Sequence, residues 1–66
     1  MRAFGEAVRK ARIEKGVSQE TLAFESGLDR TFISAVERGQ RNPSLLSVYA
    51  VADALNSSVG ELLTSY

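Results

Sequence analysis

The sequence predicts an all-α fold of five short helices in a single domain spanning residues 1–66. Apolar residues recur every three or four positions, which is the period of a helix. Gly16, Gly27 and Gly39 interrupt these runs at regular intervals. No stretch alternates between apolar and polar residues, and no Asn-Gly or Asp-Gly pair marks a hairpin turn. The helical period and the absence of strand signals together indicate the fold class.

The N-terminal half contains three helices, predicted over about 2–15, 18–25 and 29–37. The first ends at Gly16, because glycine tolerates the left-handed conformation that closes a helix. The second begins at Ser18 and the third at Asp29, since these side chains accept free N–H groups of a first helical turn. Gly27 and Gly39 end them. The apolar faces contain Phe4, Val8 and Ala11, then Leu22 and Ala23, then Phe32, Ile33 and Val36.

The C-terminal part supplies two more helices, predicted over about 44–55 and 59–65. Pro43 stands before the fourth, because proline cannot continue a helix but fits just ahead of one. Ser44 caps its start. Ser58 and Glu61 fit a capping box, in which each side chain accepts the other residue's backbone N–H. We expect the apolar faces to complete the core, with Leu45, Val48, Val51, Ala52 and Leu55 in the fourth helix and Val59, Leu62 and Leu63 in the fifth.

The composition excludes several classes of function. The chain has no His and no Cys, so the commonest general base, the thiolate nucleophile and the usual zinc ligands are absent. We therefore expect no enzyme, no metal, no cofactor and no small-molecule ligand. No segment approaches the roughly 20 apolar residues of a membrane span, and the N-terminus lacks an apolar secretory signal. A soluble cytoplasmic protein is expected, and the initial Met and compact ending favour a complete or nearly complete chain.

The pattern that carries function spans residues 18–38, where two short helices flank a turn centred on Gly27. Ala23 is small where the helices approach each other, and Gly27 permits a positive φ at the turn. Leu22, Leu28, Ile33 and Val36 are expected to hold the third helix across the second. The polar residues Arg30, Thr31, Ser34 and Arg38 then face away from that core. A helix presented in this way fits the major groove of DNA.

At this point the sequence resembles the Cro- and phage-repressor-like helix-turn-helix family, also called the Xre type, from about residue 4 to residue 63. The matching segments are Val8-x-x-Ala11-Arg12, Gly16-Val17-Ser18-Gln19, Leu22-Ala23, Gly27, Ile33-Ser34-x-x-Glu37-x-Gly39, Arg41-x-Pro43 and Ala52-x-Ala54-Leu55. Within the family, the stretch Leu28-Asp29-Arg30-Thr31-Phe32-Ile33-Ser34 is most similar to the restriction–modification controller proteins. The resemblance implies a compact, lambda-repressor-like five-helix domain that regulates transcription.

The resemblance also implies a role for individual residues. It assigns contacts with DNA bases to Arg30, Thr31, Ser34 and Ala35, of which Ala35 offers only a methyl group. It assigns contacts with the DNA backbone to Gln19, Arg38, Arg41 and Asn42, and Gln19 also braces the recognition helix. Arg12 and Glu37 match a partly buried ion pair between the first and third helices. For Phe32 we favour core packing, with contact to a thymine methyl group as the alternative.

Leu46, Tyr49 and Ala50 make the fourth helix apolar over more of its circumference than one core needs. Because an exposed apolar patch on a small protein marks an interface, we predict a two-fold homodimer through residues 44–65, against the alternative of a monomer. Its two recognition helices would contact half-sites of double-stranded DNA about 34 Å apart. The operator is therefore expected to be a pseudo-palindrome.

Two other functions stay open, namely an antitoxin that also neutralises a toxin and a protein-binding module that has lost DNA binding. The formal net charge of zero argues against a DNA-binding protein. The charge is unevenly distributed, however, since residues 1–16 carry +3 and residues 28–42 carry +1, whereas residues 17–27 and 43–66 carry −2 each. We therefore expect a positive DNA-facing side and weak non-specific binding that is lost at modest salt.

Overall fold

Five α-helices and no strand form residues 2–64, the part of the chain that the computed structural model describes. They are α1 (Arg2–Lys15), α2 (Gln19–Ser26), α3 (Arg30–Glu37), α4 (Leu45–Ala54) and α5 (Val59–Thr64). The all-α prediction is therefore confirmed. The end predicted for the last helix at residue 65, and the core position predicted for the Leu63 side chain, lie outside what is described. None of these helices is long and apolar enough to cross a membrane.

The helices begin at the capping residues that the sequence indicates. The Ser18 hydroxyl accepts the Thr21 backbone N–H at 3.0 Å, and Ser44 makes the equivalent bond at the start of α4. At α5, the Ser58 N–H donates to Glu61 Oε1 at 2.8 Å and the Glu61 N–H donates to Ser58 Oγ at 3.0 Å. Helices α2, α3 and α4 start one residue later than predicted, because a capping residue keeps an extended backbone, as Ser18 does at φ −80° and ψ 167°.

The turn between α2 and α3 depends on Gly27, which has a φ of 71°. In this left-handed conformation, which glycine adopts without steric cost, the Gly27 N–H donates to the Phe24 carbonyl at 3.3 Å. The Leu28 N–H donates to the Ala23 carbonyl at 3.0 Å. These bonds satisfy carbonyl groups at the end of α2 and direct the chain into α3 at once.

Helix α3 packs against both α1 and α2, while α4 packs against α2 and α5, and α5 also contacts α1. Buried Gly5 marks the close approach of α1 to α3. A methyl group at this position would overlap the Val36 carbonyl oxygen and lie 2.9 Å from the Glu37 carbonyl oxygen. The core between the helices contains Phe4, Val8, Leu22, Ala23, Ile33, Val36, Val48, Val51, Ala52, Leu55 and Leu62. Helix α3 is thus supported by packing on two sides.

One core prediction for α4 is wrong. Leu45 was expected in the core with Val48 and Val51, but its side chain is 68% exposed. Leu45 is the first residue of the helix, and side chains on a helix tilt toward its N-terminus. Its side chain therefore projects past the helix end, beyond the core that buries Val48 and Val51.

Candidate nucleic-acid interface

The helical period places the apolar residues of α3 on its inner side and most of its polar residues on its outer side. Ile33 and Val36 are buried in the core. On the outward side, one shallow surface depression is lined by Arg30, Thr31, Ser34 and Arg38. These are the four polar residues expected there, and α3 brings them together within about two turns. Ala35, the fourth residue assigned to base contact, is only half-buried and follows Ser34 on the helix.

The two arginines of this surface differ in their partners. Arg38 donates from Nε to Gln40 Oε1 at 3.0 Å and from Nη1 to the Ser34 hydroxyl. The Arg30 side chain makes no hydrogen bond or ion pair to any residue between 2 and 64. Arg30 therefore keeps its full donor capacity for an external acceptor. The contact between Arg38 and Gln40 was not foreseen, because it depends on how the loop turns after α3.

Asp29 and Thr31 form a closed unit at the start of α3. Asp29 Oδ1 accepts the Thr31 backbone N–H at 2.8 Å and the Thr31 hydroxyl at 2.5 Å. Both bonds stabilise the ionised carboxylate, and they hold the pKa of Asp29 below its ordinary value of 3.8. The bond from the Thr31 hydroxyl has the larger effect and the bond from the Thr31 backbone N–H the smaller one. Since the Thr31 hydroxyl proton is engaged, Thr31 presents a hydroxyl acceptor and a methyl group outward.

A buried ionic network supports α3 from behind. The Arg12 guanidinium donates to Glu37 from Nε at 2.7 Å and from Nη2 at 3.2 Å, and its Nη1 donates to the Val17 carbonyl at 2.9 Å. The Gln19 side-chain amide donates to Glu37 Oε1 at 3.0 Å. The network therefore joins α1, the loop before α2, α2 and α3 at the only buried carboxylate among the described residues. Glu37 belongs to the scaffold, and Gln19 contacts the recognition helix through it.

Arg41 and Asn42, the remaining predicted backbone contacts, are both exposed in the loop between α3 and α4. The Arg41 guanidinium lies over the Phe32 ring, 5.4 Å from its centroid. Phe32 is half-buried and packs against the core, in agreement with the favoured interpretation. The contact between Phe32 and Arg41 was not predicted from the sequence.

A second surface, on α4, is apolar. Leu46 is 82% exposed and Tyr49 is 57% exposed, while Ala50 is half-buried. Leu45 adds to this surface instead of the core. Phe24 on α2, at 87% exposure, was not identified as a surface residue from the sequence.

The family profile described as "Helix-turn-helix" matches residues 8–62, which is most of the chain. The chain belongs to the helix-turn-helix family. Its profile match covers α2, α3 and α4 completely, and the resemblance to the Xre type is confirmed. Helix-turn-helix proteins of this type are DNA-binding transcriptional regulators and not enzymes, and the present protein is such a regulator.

Similar helix-turn-helix proteins include several restriction–modification controllers. The control protein C.SmaI from Serratia marcescens is 51% identical over 59 residues, which are 89% of this chain and 70% of that protein. The crystal structure of the controller C.AhdI from Aeromonas hydrophila superposes with a TM-score of 0.91 at 52% identity, over 92% of each chain. The C.Esp1396I tetramer in complex with its natural 35-base-pair operator has a TM-score of 0.88 at 36% identity, over 97% of this chain and 84% of that one.

Proposed function

We propose that this regulator binds a pseudo-palindromic operator as a homodimer and acts as a restriction–modification controller protein. The observation that carries the proposal is the outward surface of α3, where Arg30 has no partner among the described residues. Arginine that donates two hydrogen bonds to guanine is the commonest specific contact in the major groove. The buried network behind α3 gives this surface a fixed orientation.

Each polar residue has a chemical role in the proposed complex. Arg30 donates to a base edge, while Thr31 and Ser34 contact neighbouring bases through a hydroxyl oxygen or a methyl group, with Ala35 limited to methyl contact. Backbone contacts come from Arg38, Arg41 and Asn42 after α3 and from Gln19 at the start of α2. The second amide proton of Gln19 is left for a phosphate, because one proton is donated to Glu37. Phosphate contacts of this kind fix the register of the protein on DNA.

The proposed dimer is supported by the apolar surface of α4. Leu45, Leu46 and Tyr49 are all more than half exposed and lie within about one turn of α4, and clustered exposed apolar residues favour a protein partner. The Cα trace of the described residues extends over 24 × 22 × 19 Å, so the single recognition helix of one copy reaches one major groove and not a second one a full DNA turn of about 34 Å away. A second copy, joined through α4, would supply the other recognition helix. The proposed location is the cytoplasm, where the similar bacterial proteins would meet their DNA.

The controller role rests on the similarity to the restriction–modification controller protein C.AhdI and to the control protein C.SmaI. C.Esp1396I occupies its operator as a tetramer. By similarity, we propose that the present protein can also occupy its operator as a tetramer.

Selection of bound duplexes from a random DNA library tests the proposal. The expected result is a pseudo-palindromic consensus whose half-sites are one helical turn apart, together with a dimer in analytical ultracentrifugation at micromolar concentration. Failure to enrich any sequence would overturn the proposal and favour a protein-binding module. Enrichment of a single half-site by a persistent monomer would overturn the dimer. An antitoxin would be revealed by a partner protein that co-purifies in fixed stoichiometry and remains bound on DNA.

A further inference from the structure

Phe32 and Arg41 form a contact between α3 and the loop that follows it. The Arg41 guanidinium carbon lies 5.4 Å from the centroid of the Phe32 ring. This is within the roughly 6 Å at which an aromatic face attracts a cation. The Arg41 side chain makes no hydrogen bond or ion pair to another residue of the described part of the chain. The ring is therefore the group that orients this guanidinium.

The two members of the pair differ in how firmly they are held. Phe32 is half-buried and packs against the hydrophobic core. Arg41 is exposed, in a loop that begins after Gly39 at a φ of 72° and leads to Pro43. An exposed arginine has many rotamers, and fixing it on DNA costs side-chain entropy. A ring that is itself fixed by the core removes part of this cost before DNA arrives.

The position of the pair connects it to the recognition surface. Thr31 lines the depression that contains Arg30, Ser34 and Arg38. Thr31 also lines a neighbouring groove that contains Phe32 and Arg41. The Arg41 charge is thus held beside the first turn of α3, continuous with the surface that reads the bases.

We infer that Phe32 is a positioning residue for DNA binding. Its ring holds the Arg41 guanidinium beside the recognition surface in the free protein, so that Arg41 reaches the DNA already oriented. This inference rests on the proposed function. It adds a second role to Phe32, which packs against the core and also presents its ring to the Arg41 guanidinium.

A double-mutant cycle with Phe32→Leu and Arg41→Ala tests the coupling. The probe is a fluorescein-labelled duplex recovered from the random-library selection, and affinity is measured by fluorescence anisotropy. Phe32→Leu keeps an apolar side chain for the core but removes the ring face, while the control Phe32→Tyr keeps the ring. Arg41→Ala should weaken binding about two- to fivefold more in the parent than in the Phe32→Leu background. In the Phe32→Tyr background, Arg41→Ala should have its full effect.

The salt dependence of the same variants separates positioning from charge. Arg41→Ala should reduce the slope of log affinity against log salt by about 0.9. Phe32→Leu should leave this slope unchanged, because the arginine charge is still present. Thermal unfolding followed by circular dichroism confirms that each variant is folded under the conditions of binding.

The free protein gives an independent readout by NMR. The Arg41 protons next to the guanidinium should be shifted upfield by the Phe32 ring in the parent and in Phe32→Tyr, and should return to ordinary arginine positions in Phe32→Leu. Ordinary positions in the parent, or losses that simply add in the mutant cycle, would overturn the positioning role alone. A parent that enriches and binds no duplex would overturn the proposed function and this role with it.

Discussion

Helix α3 turns polar side chains to solvent, whereas helix α4 turns apolar ones. On α3, Arg30 is exposed and has no partner among residues 2–64, while Ile33 is buried. On α4, Leu46 and Tyr49 are exposed opposite a core that already contains Val51. An unpaired guanidinium binds an anionic or hydrogen-bond-accepting group, whereas exposed leucine and tyrosine pack against an apolar surface. The two helices therefore support two proposed contacts of opposite chemistry, one with DNA and one with a second copy of the protein.

The inner sides of the two helices differ as well. Behind α3, Glu37 is held by Arg12 and Gln19, whereas the inner side of α4 is entirely apolar, with Val48, Val51 and Ala52 in the core. An ionic network imposes a defined geometry through its hydrogen bonds, while apolar packing tolerates small shifts more easily. The helix with the polar support is therefore α3, the one proposed to contact the bases.

The largest effect is expected when the support of α3 is broken. Glu37→Ala leaves the Arg12 guanidinium without its carboxylate, and the two side chains are only 13% and 3% exposed. Breaking a buried pair by removing one partner costs about 3–5 kcal/mol, measurable by urea denaturation. Glu37→Gln should cost less, because it keeps a hydrogen-bonding oxygen.

The matched control for Glu37 is Glu6→Ala, because Glu6 pairs with Arg2 at 3.9 Å on the exposed surface of α1. Loss of an exposed pair is expected to cost under about 1 kcal/mol. Equal losses for the two variants would show that the network behind α3 contributes no more than a surface contact does.

The next largest effect is expected when a charge is placed on the apolar surface of α4 and α3 is left unchanged. Leu46→Glu should weaken dimerisation by more than about 2 kcal/mol for each copy, because a residue at the centre of an interface contributes about this much. In a two-fold dimer the substitution is present twice. Sedimentation equilibrium measures the shift. Because Leu46 is 82% exposed in the protomer, protomer stability should change by no more than about 0.5 kcal/mol. A dimer of unchanged affinity would place the interface elsewhere.

A smaller effect is expected when the outward surface of α3 is changed and α4 is left intact. Arg30→Ala should weaken operator binding by about 1–3 kcal/mol and relax the preference at one base position. Arg9→Ala is the control, because Arg9 is an exposed arginine outside α3. Repeating the random-library selection with both variants shows the relaxed position. If Arg30→Ala selects the parental consensus with parental affinity, another residue reads that base.

The smallest effect concerns the cap that starts α3. The pKa of Asp29 is below its ordinary value of 3.8, mainly because of the hydrogen bond from the Thr31 hydroxyl. The ionised cap therefore stabilises the fold at pH values above that ordinary value, and this stabilisation is lost as the pH falls through the lowered pKa. Asp29→Asn keeps the capping oxygen but not the charge.

Urea denaturation at several pH values tests this cap. The parent should exceed Asp29→Asn in stability at neutral pH by a small margin, and the margin should shrink below pH 3.8. A margin that is constant across this range would mean that the charge of Asp29 contributes nothing.

Local chemistry made the helix starts and the outward residues of α3 predictable. The hydroxyls of Ser18 and Ser44 and the carboxylate of Asp29 need only their own first turn to act as caps, and all three do so. Helical spacing likewise determines that Arg30 and Ser34 share a side of α3 and that Val36, buried in the core, lies on the other side. These features depend on residues a few positions apart, which a sequence displays directly.

Features that depend on the path of the chain were not predictable in the same way. Leu45 has the helical spacing of a core residue, but it is the first residue of its helix and is exposed. Helical spacing does not determine which elements pack over the end of a helix. The Arg41 contact with Phe32 depends on how the loop after Gly39 folds back. An aromatic residue in the recognition helix and an arginine in the next loop are a signal to search for this pairing in related sequences.

The close approach at Gly5 has a consequence for how the recognition surface can vary. The backbone of α1 at Gly5 lies against the Val36 and Glu37 carbonyl groups. A larger residue at position 5 must therefore push α1 away from α3 or rotate α3 about its axis. A rotation would turn Arg30 and Ser34 relative to the proposed DNA without changing the identity of any outward residue. A substitution at position 5 is thus expected to change the orientation of α3, the proposed recognition helix, through the packing of α1 against it.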